Sequence, residues 1–355
     1  MNNFTEDFRD DPDHDDDTPL GSRLVARRRN VVRDIRVDWA PQREFIVALD
    51  ELLYSAIERP GGPQAGVRLL APSYSGKSTV ARRYVSEVLE RGEHRTDTIP
   101  VAYAKLDPEG TVGSLATDIL KALGAKRPES LTPIKRWERA RRTMRDKQVR
   151  LFLFDEFQRA GRRPTVSPVI AGKLLDVMDD EEGSCACAFI GKAAAKGIFK
   201  TAGDLGNRLD APVHMQPLVW ASKADREAFT KFADAFDEAL VAGGATVVKS
   251  GLADPPVAEL LMEASNGLIG QFSRIIETAV MNITRAGHTG IARGDLAIAV
   301  DEWSIGNERI DYNPFDRKVT RGGTASTADS ARDDSGDPDG IDDGDIDDDG
   351  EEAGA

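Results

Sequence analysis

The nine residues Ala71-Pro72-Ser73-Tyr74-Ser75-Gly76-Lys77-Ser78-Thr79 have the types and spacing to grip a chain of phosphates. They follow the apolar run Val67 to Leu70 and precede a helical pattern reaching about Leu89, the strand, turn and helix context that a phosphate-binding loop requires. In that setting the N–H groups around Gly76 and those of the first helical turn converge on the β- and γ-phosphates. Lys77 supplies a mobile cation and the Ser78 hydroxyl holds Mg2+. The segment departs from G-x-x-x-x-G-K-[ST] once, with Ala71 in place of the first glycine. Alanine serves there if it keeps a β-like backbone. Thr79 reads as a helix-packing residue, or as support behind the phosphate ligands.

A second pair of residues completes the chemistry. Val149 to Phe154 is an apolar run, broken only by Arg150, that delivers Asp155-Glu156 at its carboxyl end about eighty residues after the loop. Two carboxylates ending a buried strand are costly unless they are used. Asp155 is expected in the Mg2+ shell, and Glu156 is expected to orient and deprotonate an attacking water. Beyond the apolar run Cys185 to Gly191, Lys192 stands where a polar residue would report a γ-phosphate.

The elements that position these groups follow from patterning. At 355 residues the chain exceeds one compact domain, given about 150 residues per domain. Residues 1–18 carry eight acids and one arginine, and 329–355 carry thirteen acids and one arginine; the net charge of -14 therefore leaves about +5 on residues 19–328. The overall acidity is no argument against a nucleic-acid partner. No run approaches the ~20 apolar residues of a membrane helix, and the acidic start is unlike a signal peptide, so a cytoplasmic protein without membrane contact is expected. Cys185 and Cys187, the only cysteines, read as small core residues on one face of a strand.

Periodicity predicts helices over 38–57 (apolar stripe Phe45, Leu49, Leu52, Leu53, Ile57), 112–123, 133–147, 168–178, 222–240, 257–265, 269–286 and 291–300. Strands are expected at 99–106, 149–154, 185–191 and, last in the core, 213–218. The helix from Pro133 would expose Lys135, Arg136, Arg139, Arg141, Arg142, Arg145 and Lys147, a row that asks for a counter-charge; Arg23 to Arg36 is a second basic stretch. The first reads either as a solvated or intersubunit face or as a nucleic-acid contact, the second either as a solvated face or as an arm touching nucleic acid. The expected organisation is a disordered acidic tail (1–20), a basic segment and amino-terminal helix (21–60), an α/β core (61–218), a helical lid (219–310) and a disordered acidic tail (311–355).

With these parts in place the chain resembles the TniB family of AAA+ transposition ATPases, the ATP-dependent DNA-binding regulators that work beside a DDE transposase. The resemblance covers roughly residues 30–300 and is carried by Leu70 to Thr79, Leu151 to Gln158, Ala188 to Ala194 and Leu205 to Leu209. It departs at Gly191-Lys192-Ala193-Ala194, where the family has a Gly-Thr-x-Glu-Ala-like segment. The resemblance implies a P-loop NTPase core with a parallel β-sheet in a three-layer sandwich, a small helical lid, ATP and Mg2+ as cofactors, and slow hydrolysis stimulated by DNA or a partner. It further implies ATP-dependent homo-oligomers on duplex DNA, held through phosphates without sequence choice, and a DDE-type transposase as partner. Arg208 would reach a neighbouring subunit's γ-phosphate, and Arg274 would be the lid's sensor arginine, one position late against the commonest spacing. The alternative is a signalling or defence NTPase whose helical domain gates a protein partner without DNA.

Overall fold

The structure, a computed structural model, describes residues 20–92 and 95–316. The acidic stretches expected to be disordered, before residue 20 and beyond 316, lie outside the described residues.

Two helices open the chain, α1 (Leu20–Asp34) and α2 (Ala40–Glu58). Pro41 sits in the first turn of α2, where its missing N–H costs nothing. The helix buries Phe45, Leu49, Leu52, Leu53 and Ala56; Ile57, expected on this stripe, is instead 47% exposed, because the stripe has turned onto Ala56 by the last turn. The α/β layers follow: β1 (Gly66–Leu70), α3 (Lys77–Arg91), β2 (Val101–Lys105), α4 (Val112–Ala122), α5 (Pro133–Asp146), β3 (Leu151–Asp155), α6 (Ser167–Met178) and β4 (Ala186–Gly191).

All four strands are parallel, in the order β1-β4-β3-β2. Parallel neighbours need long crossovers, and the helices between them supply these. Each strand is covered on both faces, which explains its near-continuous apolar composition. Leu151 and Leu153 pack with Val67, Leu69 and Ile190 against α2 and α3, whereas Phe152, Phe154, Cys185, Cys187 and Phe189 pack on the other side against α4, α5 and α6. Both cysteines are buried, free thiols.

The strand expected over 213–218 does not form. After the short helices α7 (Lys196–Thr201) and α8 (Gly203–Asn207), the chain meets the β1 edge only at the bridges Gly66 to Leu209 and Leu69 to Val213. Pro212 and Pro217 have no N–H to place in a ladder, so pairing stays at isolated points.

The remainder is helical: α9 (Lys223–Ala242), α10 (Pro255–Ala264), α11 (Ile269–Ala286) and α12 (Arg293–Ala299), which runs on into a π-helical turn over Val300–Ile305. Ser222 caps α9 by accepting from the Asp225 N–H. Their apolar faces meet in a core that includes Phe229, Phe232, Phe236, Leu261, Phe272 and Ile276. Residues 311–316, expected to begin a disordered tail, join this core. Phe315 is buried there under the Arg293 guanidinium, which also donates to the Phe315 carbonyl at 2.8 Å. Helix α1 lies on α11: Val32 enters the same core, and Arg29 and Arg33 reach Glu277 at 2.6 and 2.9 Å. Part of the basic stretch therefore serves internal packing. Among the described residues no helix is long and apolar enough to cross a membrane.

Candidate nucleotide site

The phosphate loop begins as a continuation of the sheet. The Ala71 N–H donates to the Gly191 carbonyl at 2.9 Å, one step beyond the β1–β4 ladder, and Ala71 is buried without a positive φ. A glycine is therefore unnecessary at this position. The positive φ values fall later, at Tyr74 (66°) and Gly76 (88°). Gly76 is constrained twice, since a Cβ there would stand 2.7 Å from the Gln42 amide nitrogen. It is also the N-cap of α3, and no side chain caps that helix end. The uncapped first turn offers its N–H groups to an anion.

Inside the loop, Ser75 is buried and its hydroxyl has no hydrogen-bond partner. An orphaned buried hydroxyl costs about 1–3 kcal/mol unless something occupies it, and a phosphate oxygen fits the place. Lys77 is 5% exposed and its Nζ donates to the Pro72 carbonyl at 2.8 Å. Burial lowers its pKa, partly opposed by the charges of Asp155 and Glu156 and reinforced by Lys192. Ser78 and Thr79 follow on the first turn of α3, and Pro72 and Ser73 are exposed at the loop's tip.

Asp155 is 1% exposed and fully engaged: the Tyr103 hydroxyl donates to its Oδ2 at 2.6 Å and the Glu156 N–H to its Oδ1 at 2.8 Å. Tyr103, on the neighbouring strand β2, escaped the sequence reading because nothing local marks a tyrosine as the partner of an acid fifty-two residues away. Glu156 has a left-handed backbone (φ 59°, ψ 36°), which turns its side chain out of the strand. Its carboxylate accepts from Gln158 Nε2 at 2.8 Å and lies 3.5 Å from Arg159 Nε. Among the described residues no group of three acids, histidines or cysteines could hold a metal alone. Mg2+ is commonly held by one or two carboxylates and hydroxyls together with substrate phosphates, so Ser78 with Asp155 is a fitting donor set.

A cleft of about 1050 Å³ runs from this loop to the helical segment. Gly76, Lys77, Ser78 and Thr79 line it, with Ile269 against Gly76; Val32, Ile35, Val37, Phe232 and Phe236 add an apolar wall suited to a flat base. Gln42 and these apolar residues carried no signal in the sequence, being brought in by α1, α2 and α9. Arg274, expected as a sensor, lines the cleft from α11 and pairs with Glu277 at 2.8 Å. Glu277 thus gathers Arg29, Arg33 and Arg274. Burial by itself would raise its carboxyl, but the bonds from Arg29 and Arg33 and the charge of Arg274 hold it below its ordinary value.

Asp155, Glu156, Lys192 and Arg208 do not line this cleft. The side chain of Lys192 is exposed; its backbone N–H donates to Gln158 Oε1 at 3.0 Å and its carbonyl accepts from the Ala195 N–H at 2.9 Å. Arg208 lies at the opposite end of the sheet: the Gly66 N–H donates to its carbonyl, and its guanidinium pairs with Asp179 at 2.9 Å. The five residues of β1 separate it from the loop by about 16 Å. The basic row on α5 also divides. Arg136 donates to the Gly113, Glu129 and Leu131 carbonyls, and Arg141 and Arg145 grip the buried Asp180 at 2.8 and 2.7 Å. Lys135, Arg139 and Arg142 remain exposed.

Solved structures share this architecture. The Aeropyrum pernix ORC2 protein, in ADPNP-ADP complexes, superposes with a TM-score of 0.60 at 14% identity, covering 77% of this chain and 71% of that one. The Aeropyrum pernix ORC1 protein in complex with DNA gives 0.57 at 15% identity, covering 77% and 69%. Cdc6p from Pyrobaculum aerophilum gives 0.56 at 14% identity, covering 77% and 70%. At such identities the likeness concerns the fold alone. No curated protein matches the sequence. The profile of a family described as "Bacterial TniB protein" matches residues 33–216.

Proposed function

The chain belongs to the family of bacterial TniB proteins, and from that premise we propose that it is an ATPase that assembles on duplex DNA with ATP bound and regulates or targets transposition by recruiting a DDE-type transposase. The observation that carries the reading is the cleft itself. An uncapped helix end, the orphaned Ser75 hydroxyl and the buried Lys77 form an anion cradle, and the charges of Asp155 and Glu156, at the end of β3, act on Lys77.

In this reading the triphosphate lies along the loop with the base between the apolar residues of α1, α9 and α11. The cation Lys77 and the N–H groups of the first turn of α3 neutralise the phosphates. Ser78 and Asp155 would hold Mg2+, which when bound would supply further positive charge to the phosphates. Glu156 accepts the proton of the water that attacks the γ-phosphorus, and ADP and phosphate leave. Arg274 touches the phosphates from the lid helices, and Arg208 serves a neighbouring subunit, since it is remote from its own loop. Turnover empties the oligomer from DNA. The DNA contact draws support from the exposed cations Lys135, Arg139, Arg142, Arg162 and Arg163 and from the DNA-bound ORC1 neighbour. The proposed domain division is an α/β core and a helical lid closing on the base.

Fluorescence anisotropy on random-sequence duplex, with and without a non-hydrolysable ATP analogue, tests this. The analogue should tighten binding by wild type roughly tenfold or more and leave Lys77→Ala unchanged, and a purified DDE transposase should co-sediment only with the nucleotide-bound complex. If neither nucleotide state binds DNA, the transposition reading falls and a lid that gates a protein partner takes its place.

A further inference from the structure

The carboxamide of Gln158 ties together Glu156 and Lys192, which the sequence keeps thirty-six residues apart. It donates from Nε2 to Glu156 Oε2 at 2.8 Å and accepts at Oε1 from the Lys192 N–H at 3.0 Å. Glu156 directly follows β3 and Lys192 directly follows β4, and these strands are hydrogen-bonded neighbours. The amide therefore spans the carboxyl ends of two central strands on the side facing the phosphate loop. Its orientation is determined by the network: turned over, it would set NH2 against an N–H and a carbonyl against a carboxylate.

The surrounding backbone is shaped to admit this contact. A Cβ on Gly191 would stand 2.6 Å from Gln158 Oε1 and 3.2 Å from the Phe157 nitrogen, so no larger residue could end β4 without displacing the amide. Phe157, between the two polar residues, is fully buried against Phe189 and Phe199, with ring centroids 4.6 and 5.4 Å away, which anchors the short 3-10 segment carrying Gln158. The Lys192 side chain meanwhile points into solvent. The polar group that reads the end of β4 thus comes from the segment after β3.

We propose that Gln158 is the positioning residue of this site. It aims Glu156 at the attacking water and fixes that aim to the backbone at Lys192, so that a γ-phosphate settling against the end of β4 is felt by the proton acceptor. A carboxamide is neutral throughout the accessible pH range, so it acts only through orientation and hydrogen bonding. The inference rests on the reading of Glu156 as the base. Misplacement of a reacting group by about 1 Å can cost on the order of 100-fold in rate.

The test uses the full chain with ATP, Mg2+ and duplex DNA. Gln158→Leu keeps the bulk and removes both bonds; kcat should fall roughly 10- to 100-fold, while KM and the dissociation constant of an ATP analogue stay within about twofold. Gln158→Glu puts a second carboxylate against the first and should move the acid limb of the kcat profile upward by about one pH unit. Glu156→Gln is measured alongside. If Glu156→Gln hydrolyses ATP like wild type, the base assignment and this proposal fall together. If Glu156→Gln is inactive but Gln158→Leu turns over within twofold of wild type with the acid limb of Gln158→Glu unmoved, this proposal alone is overturned. Parallel losses of kcat, analogue binding and melting temperature in both Gln158 variants would also overturn it, by showing a brace for the fold.

Discussion

The ring of Tyr74, in the phosphate loop, meets the indole of Trp303 edge to face, with centroids 5.7 Å apart and planes at 84°. The Arg309 guanidinium lies 5.3 Å from the same ring, and the Tyr74 carbonyl accepts from the Gly270 N–H at 2.9 Å, at the start of the helix that carries Arg274. One residue of the nucleotide cradle is thus held by three parts of the helical segment. The contacts of the ring are worth about 1–2 kcal/mol together. Tyr74→Ala should remove the protection from hydrogen exchange that an ATP analogue confers on residues 269–275 and 300–309, and Tyr74→Phe should retain it. Equal protection in wild type and Tyr74→Ala would show that the ring transmits nothing.

Glu277 holds α1 on α11 through Arg29 and Arg33. Because its folded pKa lies below the ordinary 4.5, its contribution is fully present above that value and is lost as pH falls through the folded pKa. Glu277→Gln should cost about 1–3 kcal/mol at neutral pH, with the arginines' partial exposure keeping it from the upper extreme. The difference from wild type should hold down to about pH 4.5 and shrink below it. Denaturant melts across pH 3 to 7 would measure this; a gap that widens on acidification contradicts the assignment.

Arg208 and Asp179 form an ion pair in which both side chains are over one third exposed, so Arg208→Ala should change monomer stability by no more than about 0.5 kcal/mol. Its effect should appear in assembly. Analytical ultracentrifugation with an ATP analogue should show oligomers for wild type and monomers for Arg208→Ala. Indistinguishable profiles with equal hydrolysis would remove Arg208 from any shared site.

On α5 the arginines should separate by role. Replacing Lys135, Arg139 and Arg142 with glutamine should weaken duplex binding across sequences and flatten the logarithmic salt dependence by about 0.9 for each phosphate no longer neutralised, with the melting temperature unchanged. Replacing Arg141 and Arg145 strips the buried Asp180 of its charged partners, leaving it the Glu182 N–H, and should lower stability by about 1–3 kcal/mol. If the first set melts early while the second weakens only DNA binding, the two roles have been exchanged.

What the sequence determined by itself is what contiguous residues decide. The phosphate loop is one stretch whose glycine, lysine and hydroxyls need only a strand before and a helix after. Helices such as α4 and α11 follow from a 3.6-residue period, and Asp155-Glu156 shows in the hydrophobicity of its own strand. Tertiary structure decided which distant groups meet. Nothing near Glu277 announces Arg29 and Arg33, nothing in the α5 row separates the arginines that hold Asp180 from those that face solvent, and Gln158 finds Lys192 only because β3 and β4 are adjacent. The strand expected at 213–218 failed for the same reason. Alternation there allowed a strand, but forming one required a ladder along β1 that Pro212 and Pro217 cannot complete. A backbone conformation is selected by local sterics and periodicity, whereas the partner of a buried charge is selected by packing among elements from tens to hundreds of residues apart. That choice is settled only when the whole core closes.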